Sequence, residues 1–411
     1  MARHSLISGL AATSVALAAG MASAQAQMNT SGVQNLAYIG PQVHDFLVPD
    51  LPGSKIRFTV RGADGGDSTT KRSFGTCTRA GGEGATVVMQ ATIGYGTYEL
   101  RPGARVRFIV GEEGGSVRRE DDWDGAGGGG GTGLLYDADN DDLGWIPLAV
   151  AGAGGGAHTE AQAGICTRLR NGKGASLEPT GTDGDGDKSS QIGAGGKDGS
   201  GGGDGDRYWI DRYEIASGGG GGLKEDGEFK YASGTPARAG SPSGGAGGTS
   251  KGSSGGWGCG GGGAGRSNND FDGGGGGGGY SGGGGGQHNY GGGGGGSWFD
   301  KNFDVNGAVS LGNAGDHGSA SYEFTRVAKA APAATVIGAI GLSGSFAVDT
   351  AGSSFDTVVA IYNNRGEIVA QGDNSPFLPG GLTSFTASLD AGEYWMGVCG
   401  APNGPLDNFT F

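Results

Sequence analysis

The stretch 273–296 reads GGGGGGGYSGGGGGQHNYGGGGGG, three glycine runs separated by Tyr280-Ser281 and by Gln287-His288-Asn289-Tyr290. Glycine loses more backbone freedom on ordering than any other residue, so an isolated run of this kind is a flexible linker. Here strand-like sequence lies on both sides and tyrosines interrupt the runs, which argues for order. A glycine run can adopt the left-handed polyproline-II shape, with about 3.1 Å of rise per residue and no internal hydrogen bonds. Every N–H and C=O then points outward, and without side chains neighbouring runs approach closely enough to satisfy one another. The ordering cost, on the order of 1–2 kcal/mol per residue, is offset only where many runs pack together and are clamped.

The rest of the chain supplies such runs, each where a strand pattern stops. Lys55 to Arg61 and Ala104 to Val110 alternate apolar and polar residues as half-buried strands do. Val43, Phe46 and Val48, then Ala85 to Ala91 and Thr97 to Leu100, add further strand patterns. The run 127–131 leads into Gly133-Leu134-Leu135-Tyr136, and Trp145 to Ala151 closes on Gly154-Gly155-Gly156. Tyr208 to Ile215 precedes the run 218–222, and Ala320 to Phe324 follows the last runs. No helical period of useful length appears. The pattern predicts an all-β protein, a β-sandwich with an inserted bundle of polyglycine-II helices.

Composition narrows the function. The 411 residues include 99 glycines, far above the ordinary share, yet 35% are hydrophobic, too many for a disordered chain. A formal net charge of −14 argues against nucleic acid as a partner and fits either a solubilising role or partners that are basic or metal-bearing. Arg3, the apolar stretch 6–20 and Ala22-Ser23-Ala24 form a signal peptide pattern, with cleavage expected after Ala24 or alternatively Ala26. No later stretch is apolar enough for a transmembrane helix. The expected location is therefore extracellular, cell-surface or periplasmic. Export makes Cys77, Cys166, Cys259 and Cys399 disulfide candidates. Cys77 and Cys166 both sit in polar Cys-Thr-Arg segments that resemble facing loops, which favours pairing them and leaves Cys259 and Cys399 paired or free.

The expected organisation is a signal peptide over 1–24, a flexible segment over 25–41 and a glycine-rich domain over 42–327 with loop excursions at 157–205 and 233–254. A linker over 328–334 leads to a C-terminal domain over 335–411. That last domain carries five strand patterns, from Gly344, Thr357, Glu367, Ser384 and Tyr394, and predicts a small β-sandwich or jelly roll.

Several motifs carry a family resemblance. Phe58 to Gly66, the run from Gly125 to Thr132, Pro147 to Gly156, and 274–296 followed by Ser297-Trp298 and Gly318 to Tyr322 resemble the glycine-rich domain of the anaplastic lymphoma and leukocyte tyrosine kinase receptors and its bacterial relatives. The resemblance covers about 42–326. It implies a β-sandwich supporting polyglycine-II helices and a role in extracellular ligand binding. Kinase activity does not come with it, since neither His-Arg-Asp nor Asp-Phe-Gly occurs. Phe355 to Tyr362, Gly366 to Ala370 and Leu389 to Val398 resemble a bacterial prepeptidase C-terminal domain, which implies a non-catalytic accessory to secretion or surface binding.

Candidate sites are few. Asp183, Asp185 and Asp187 are spaced as in the first half of a calcium loop, but Lys188 replaces the turn glycine and Ala194 stands where a bidentate Glu belongs. Asp137, Asp139, Asp141 and Asp142 form a second acidic loop. Calcium is the one cofactor these residues suggest, and solvated acidic loops are the plainer expectation. Tyr280, Tyr290 and Trp298, with Trp257, form either a binding face for sugars or peptides or aromatic caps over the glycine bundle. The Gly252 to Gly256 match to a nucleophile elbow lacks the strand and helix it needs, and the histidines have no metal-binding spacing. The expected function is a secreted or surface-exposed, non-catalytic binding or adhesion protein whose partner is an unidentified protein or glycan, basic partners being one option the charge allows. A structural matrix or surface-layer component is the alternative, and a secreted hydrolase accessory a further one.

Overall fold

Along Lys55–Arg61 the side chains of Ile56, Phe58 and Val60 share one face of a strand and are at most 1% exposed, while Arg57 and Arg61 face solvent. This alternation sets the whole sheet. In the computed structural model, residues 26–72, 75–119, 123–162, 165–189, 192–205, 217–229, 235–249, 253–264, 273–304, 306–312, 317–326, 335–340, 344–349, 357–362, 368–373, 384–390 and 394–400 are described. The expected signal peptide over 1–24, the expected linker over 328–334 and the expected strand from Tyr208 to Ile215 lie outside them. The described residues are all-β and contain no α-helix.

Strands are numbered in chain order. β2 (Gln34–Ala37), β4 (Lys55–Arg61), β7 (Ala85–Thr92), β16 (Ala308–Leu311) and β17 (Ser319–Arg326) form a five-stranded antiparallel sheet in the order β16-β7-β4-β17-β2. A six-stranded sheet runs in the order β1-β3-β8-β11-β12-β15. Its members are β1 (Ala26–Gln27), β3 (Val43–Leu47), β8 (Arg105–Ile109), β11 (Thr132–Asp137), β12 (Ile146–Ala151) and β15 (Trp298–Phe299). Only β1 pairs in parallel there.

The two sheets share one core. Phe58 of the first packs against Phe108 of the second at 6.1 Å between ring centroids, and Phe46 meets Tyr322 at 5.5 Å. Val106, Leu134 and Leu148 join Val87, Met89 and Ala320 between them. The opposite face of the six-stranded sheet is also apolar. Ile109, Leu135 and Val150 pack there against Leu223, Trp257 and Cys259 from the glycine-rich segments.

Two smaller sheets stand apart from that core. One has the order β6-β5-β9, built from β5 (Ser68–Arg72), β6 (Gly75–Arg79) and β9 (Val117–Arg119). The other has the order β10-β13-β14, from β10 (Trp123–Gly125), β13 (His158–Gln162) and β14 (Ile165–Arg170). The Cys77–Cys166 disulfide joins β6 to β14, with the Cα atoms 6.0 Å apart. The expected pairing is present, although the two segments are strands rather than loops. A disulfide points to folding in an oxidising compartment. Cys259 is free and buried.

In the C-terminal part, β18 (Thr335–Ile340), β23 (Tyr394–Gly400), β20 (Thr357–Tyr362) and β21 (Ile368–Asp373) form a four-stranded sheet in that order. β19 (Gly344–Asp349) pairs with β22 (Ser384–Leu389). Ile361 of the larger sheet clusters with Ala387 and Leu389 of the smaller. β18 has no counterpart among the expected strands.

Other expectations differ from the structure. Thr97 to Leu100 is not a strand: the chain turns there, and the Gly96 amide donates to the Glu99 carboxylate at 2.8 Å. The segment 25–41 contributes β1 and β2, and Leu36 and Tyr38 pack on the main core. The stretch 157–205 holds β13, β14 and a series of hydrogen-bonded glycine segments. The signal for the last is a three-residue spacing, Gly181 with Gly184 and Gly193 with Gly196, which period-two strand reading passes over.

Candidate functional site

The runs in 273–296 are buried and hydrogen-bonded. In the segment 274–279, Gly274 and Gly277 donate to Tyr290 and Gly293, Gly275 and Gly278 to Ala126 and Gly129, and Gly276 and Gly279 to Gly218 and Gly221. Each neighbour advances by three residues as the segment does. The carbonyls keep the three-residue step with neighbours that run the opposite way: Gly274 and Gly277 accept from Gly286 and Gly283, Gly275 and Gly278 from Gly156 and Ala153, and Gly276 from Gly262. A threefold backbone thus reaches separate neighbours on every side. Such an arrangement satisfies buried peptide groups without a sheet ladder.

The spacing demands the absence of side chains. A Cβ on Gly62, Gly128, Gly155, Gly275 or Gly278 would overlap a carbonyl of the adjoining segment. At the perimeter the rule relaxes in step with the period. Gly193 and Gly196 face inward and are buried, while Ala194 and Lys197 are exposed. Gly245 and Gly248 likewise alternate with exposed Ala246 and Thr249.

Of the aromatic candidates, Tyr280 and Trp298 come together, stacked at 5.0 Å and 19°. The Lys224 ammonium lies 5.8 Å from the Tyr280 centroid. Tyr290 sits at the other end of the segment 291–296, about 19 Å away at the ~3.1 Å rise of an extended threefold chain. Its ring carries the Arg170 guanidinium at 5.0 Å. Tyr280 also packs with Leu223, Trp257 and Cys259. Tyr290 is therefore set apart from the Tyr280–Trp298 pair, and all three are half-buried.

The carboxylates of Asp183, Asp185 and Asp187 do not converge either. In a threefold chain, residues two apart point in successively different directions, so three alternate carboxylates splay. Asp183 Oδ1 instead accepts from the Gly195 amide at 2.8 Å. Among the described residues, no group of three His, Cys, Asp or Glu side chains is arranged to hold a metal ion.

The second acidic loop is occupied by arginines. Arg105 Nη2 meets Asp137 Oδ2 at 2.9 Å and Asp142 Oδ1 at 2.6 Å. Arg107 pairs with both oxygens of Asp45 at 2.7 Å. The indole of Trp145 lies against both guanidinium groups, at 4.9 and 4.2 Å from its centroid. Burial acts to raise the Asp137 carboxyl, but the Arg105 hydrogen bond and the amide of Asp142 outweigh it and hold the group below its ordinary value. The sequence showed the acidic half of this cluster. Its basic half lies on β8, thirty-odd residues earlier.

A cleft of about 500 Å³ lies where the small sheets meet the glycine segments. Asp64, Asp67, Glu83 and Glu113 line it together with Asn171, Leu311 and backbone from neighbouring glycines, and no Lys or Arg is among the lining residues. Asp64 Oδ1 accepts from the Gly84 amide at 2.8 Å and Asp67 Oδ1 from the Gly81 amide at 3.0 Å, which fixes both side chains on the wall. Lys173, in the wall sequence, turns its ammonium away to the carbonyls of Asp183 and Gly184. Reading from sequence missed this site because its carboxylates come from segments scattered over fifty residues. No protein-family model matches the chain, and no curated protein matches it.

Proposed function

We propose that this is an exported, non-catalytic binding or adhesion protein that engages a basic protein partner through the acidic cleft. On this reading 42–327 is a β-sandwich carrying a bundle of polyglycine-II helices, akin to the extracellular glycine-rich domain of the receptor kinases, and 335–411 is a small accessory β-sandwich. The observation that carries it is the cleft, with four carboxylates and no lining cation on a chain of net charge −14. Exposed side chains at perimeter positions of the glycine segments support a discrete module over a matrix component. Ala194, Lys197, Ala246 and Thr249 occupy the positions through which a further copy would have to extend the packing.

The test is calorimetric titration of the mature protein with an arginine-rich peptide at low and moderate salt. The expected result is saturable binding that weakens with salt and with Glu83→Gln. Absence of binding at low salt would overturn the cleft reading, and concentration-dependent assembly in light scattering would favour the matrix alternative.

A further inference from the structure

The two small sheets enclose an interior unlike the main core. Ser68, Thr70, His158 and Thr159 are 0% exposed and Glu160 is 3% exposed. The Thr159 hydroxyl lies 2.7 Å from that of Ser68 and 2.8 Å from that of Thr70, so β13 is joined to β5 through hydroxyl groups. Such bonds fix register, but they replace bonds to water and add little net stability compared with apolar burial. The cross-link between the sheets is Cys77–Cys166, which closes a sequence separation of 89 residues. Cys77 is buried and Cys166 is exposed, so solvent reaches one end of the bridge.

The same strands carry the cleft walls. Asp67 immediately precedes β5, Ala80 to Glu83 follow β6, and Asn171 to Gly174 follow β14. We infer that the Cys77–Cys166 bond is a redox clamp: its reduction opens the two small sheets locally and releases the cleft walls, while the large sheets and the inner glycine segments stay folded. The consequence for ligand binding rests on the cleft reading above.

The reductant is a dithiol. One of its thiolates attacks the Cys166 sulfur and forms a mixed disulfide, and the Cys77 thiolate leaves and takes up a proton. The second thiol of the reductant loses its proton and attacks the reductant sulfur of the mixed disulfide. Cys166 is released as a thiol, and the reductant departs as a cyclic disulfide with the two electrons accounted for.

Hydrogen exchange by mass spectrometry on the intact protein, with and without dithiothreitol and with reduction verified by alkylation, tests the clamp. Exchange across 75–79 and 165–170 is expected to accelerate on the order of a hundredfold, with 55–61 and 275–278 unchanged. A Cys77→Ser/Cys166→Ser variant is expected to behave as the reduced protein does. Unchanged exchange in the hairpins of fully reduced protein overturns the clamp, as does simultaneous acceleration of all sheets. Hairpins that open on reduction in a protein binding arginine peptide in neither state would retain the clamp and remove the binding reading.

Discussion

The amide of Gly278 donates to the carbonyl of Gly129 at 2.9 Å, joining two segments about 150 residues apart in the chain. A Cβ on Gly278 would overlap the Cys259 carbonyl on another side. The backbone bond and the missing side chain belong together because the segment is bonded on one side and abutted by another backbone on the next, so no side is left open for a methyl group.

Gly278→Ala is therefore expected to cost about 3 kcal/mol or more, at the upper end of overpacking. Gly174→Ala is the control: the nearest atoms to its Cβ, the Glu83 carbonyl oxygen and a Leu311 methyl, lie at 3.6 Å. That variant is expected to fall within about 0.5 kcal/mol of the parent. Urea unfolding of both checks the contrast, and equal stability of the two would refute lattice packing at Gly278.

Phe108 lies between Phe58 at 6.1 Å, Phe46 at 6.0 Å and Tyr322 at 6.1 Å, and is 0% exposed. Phe108→Ala removes one of the rings that link the two large sheets and is expected to cost about 3–5 kcal/mol. Thermal unfolding measures it. A loss below about 1 kcal/mol would mean that the sheets do not rely on this contact.

Asp137 titrates below its ordinary value in the folded protein, despite burial, because Arg105 and the Asp142 amide favour the carboxylate. A folded value below the unfolded one, near 4, makes its contribution complete above about pH 4 and lost as pH falls through the lower folded value. Asp137→Asn is expected to cost up to about 3 kcal/mol near neutrality, tempered because Asp142 and Asp45 still face Arg105. The deficit should shrink in acid. Melting curves from neutral pH to pH 2 check the convergence, and a pH-independent deficit contradicts it.

Burial pushes the Cys259 thiol up to about 12. The thiolate is the reactive form, so the native protein should leave Cys259 unmodified by iodoacetamide at neutral pH. Peptide mapping after native and denaturing alkylation reads this directly. Rapid native labelling at Cys259 would show that the apolar cluster around it opens readily.

Calcium should leave the melting temperature where a chelator leaves it, since Asp183, Asp185 and Asp187 splay and Asp137 and Asp142 already face Arg105. A calcium-dependent rise that Asp185→Asn removes would refute this geometry.

Some elements of this protein are legible in its sequence and others are not. Ile56, Phe58 and Val60 announced β4 by alternation, and Cys77 and Cys166 by their matching neighbours. β18 was missed because Thr335 to Ile340 follows an alanine-rich stretch without a turn signal. The cleft was missed because Asp64, Glu83 and Glu113 belong to three segments whose juxtaposition depends on strand order. Tyr290 looked equivalent to Tyr280 in sequence, and only the direction of the segment 291–296 separates them.

By itself the chain determined the all-β class, since alternation and glycine punctuation are local properties. It also kept the interior segments to glycine with single alanines such as Ala126 and Ala153, because larger side chains would hold the backbones apart. Only the tertiary structure decided which glycine segment neighbours which. Glycine has no side chain to encode a partner, and the peptide groups of one run are chemically the same as those of the next. The pairing of 274–279 with 126–129, 153–156 and 218–221 is therefore selected by the flanking strands and aromatic caps that position each run.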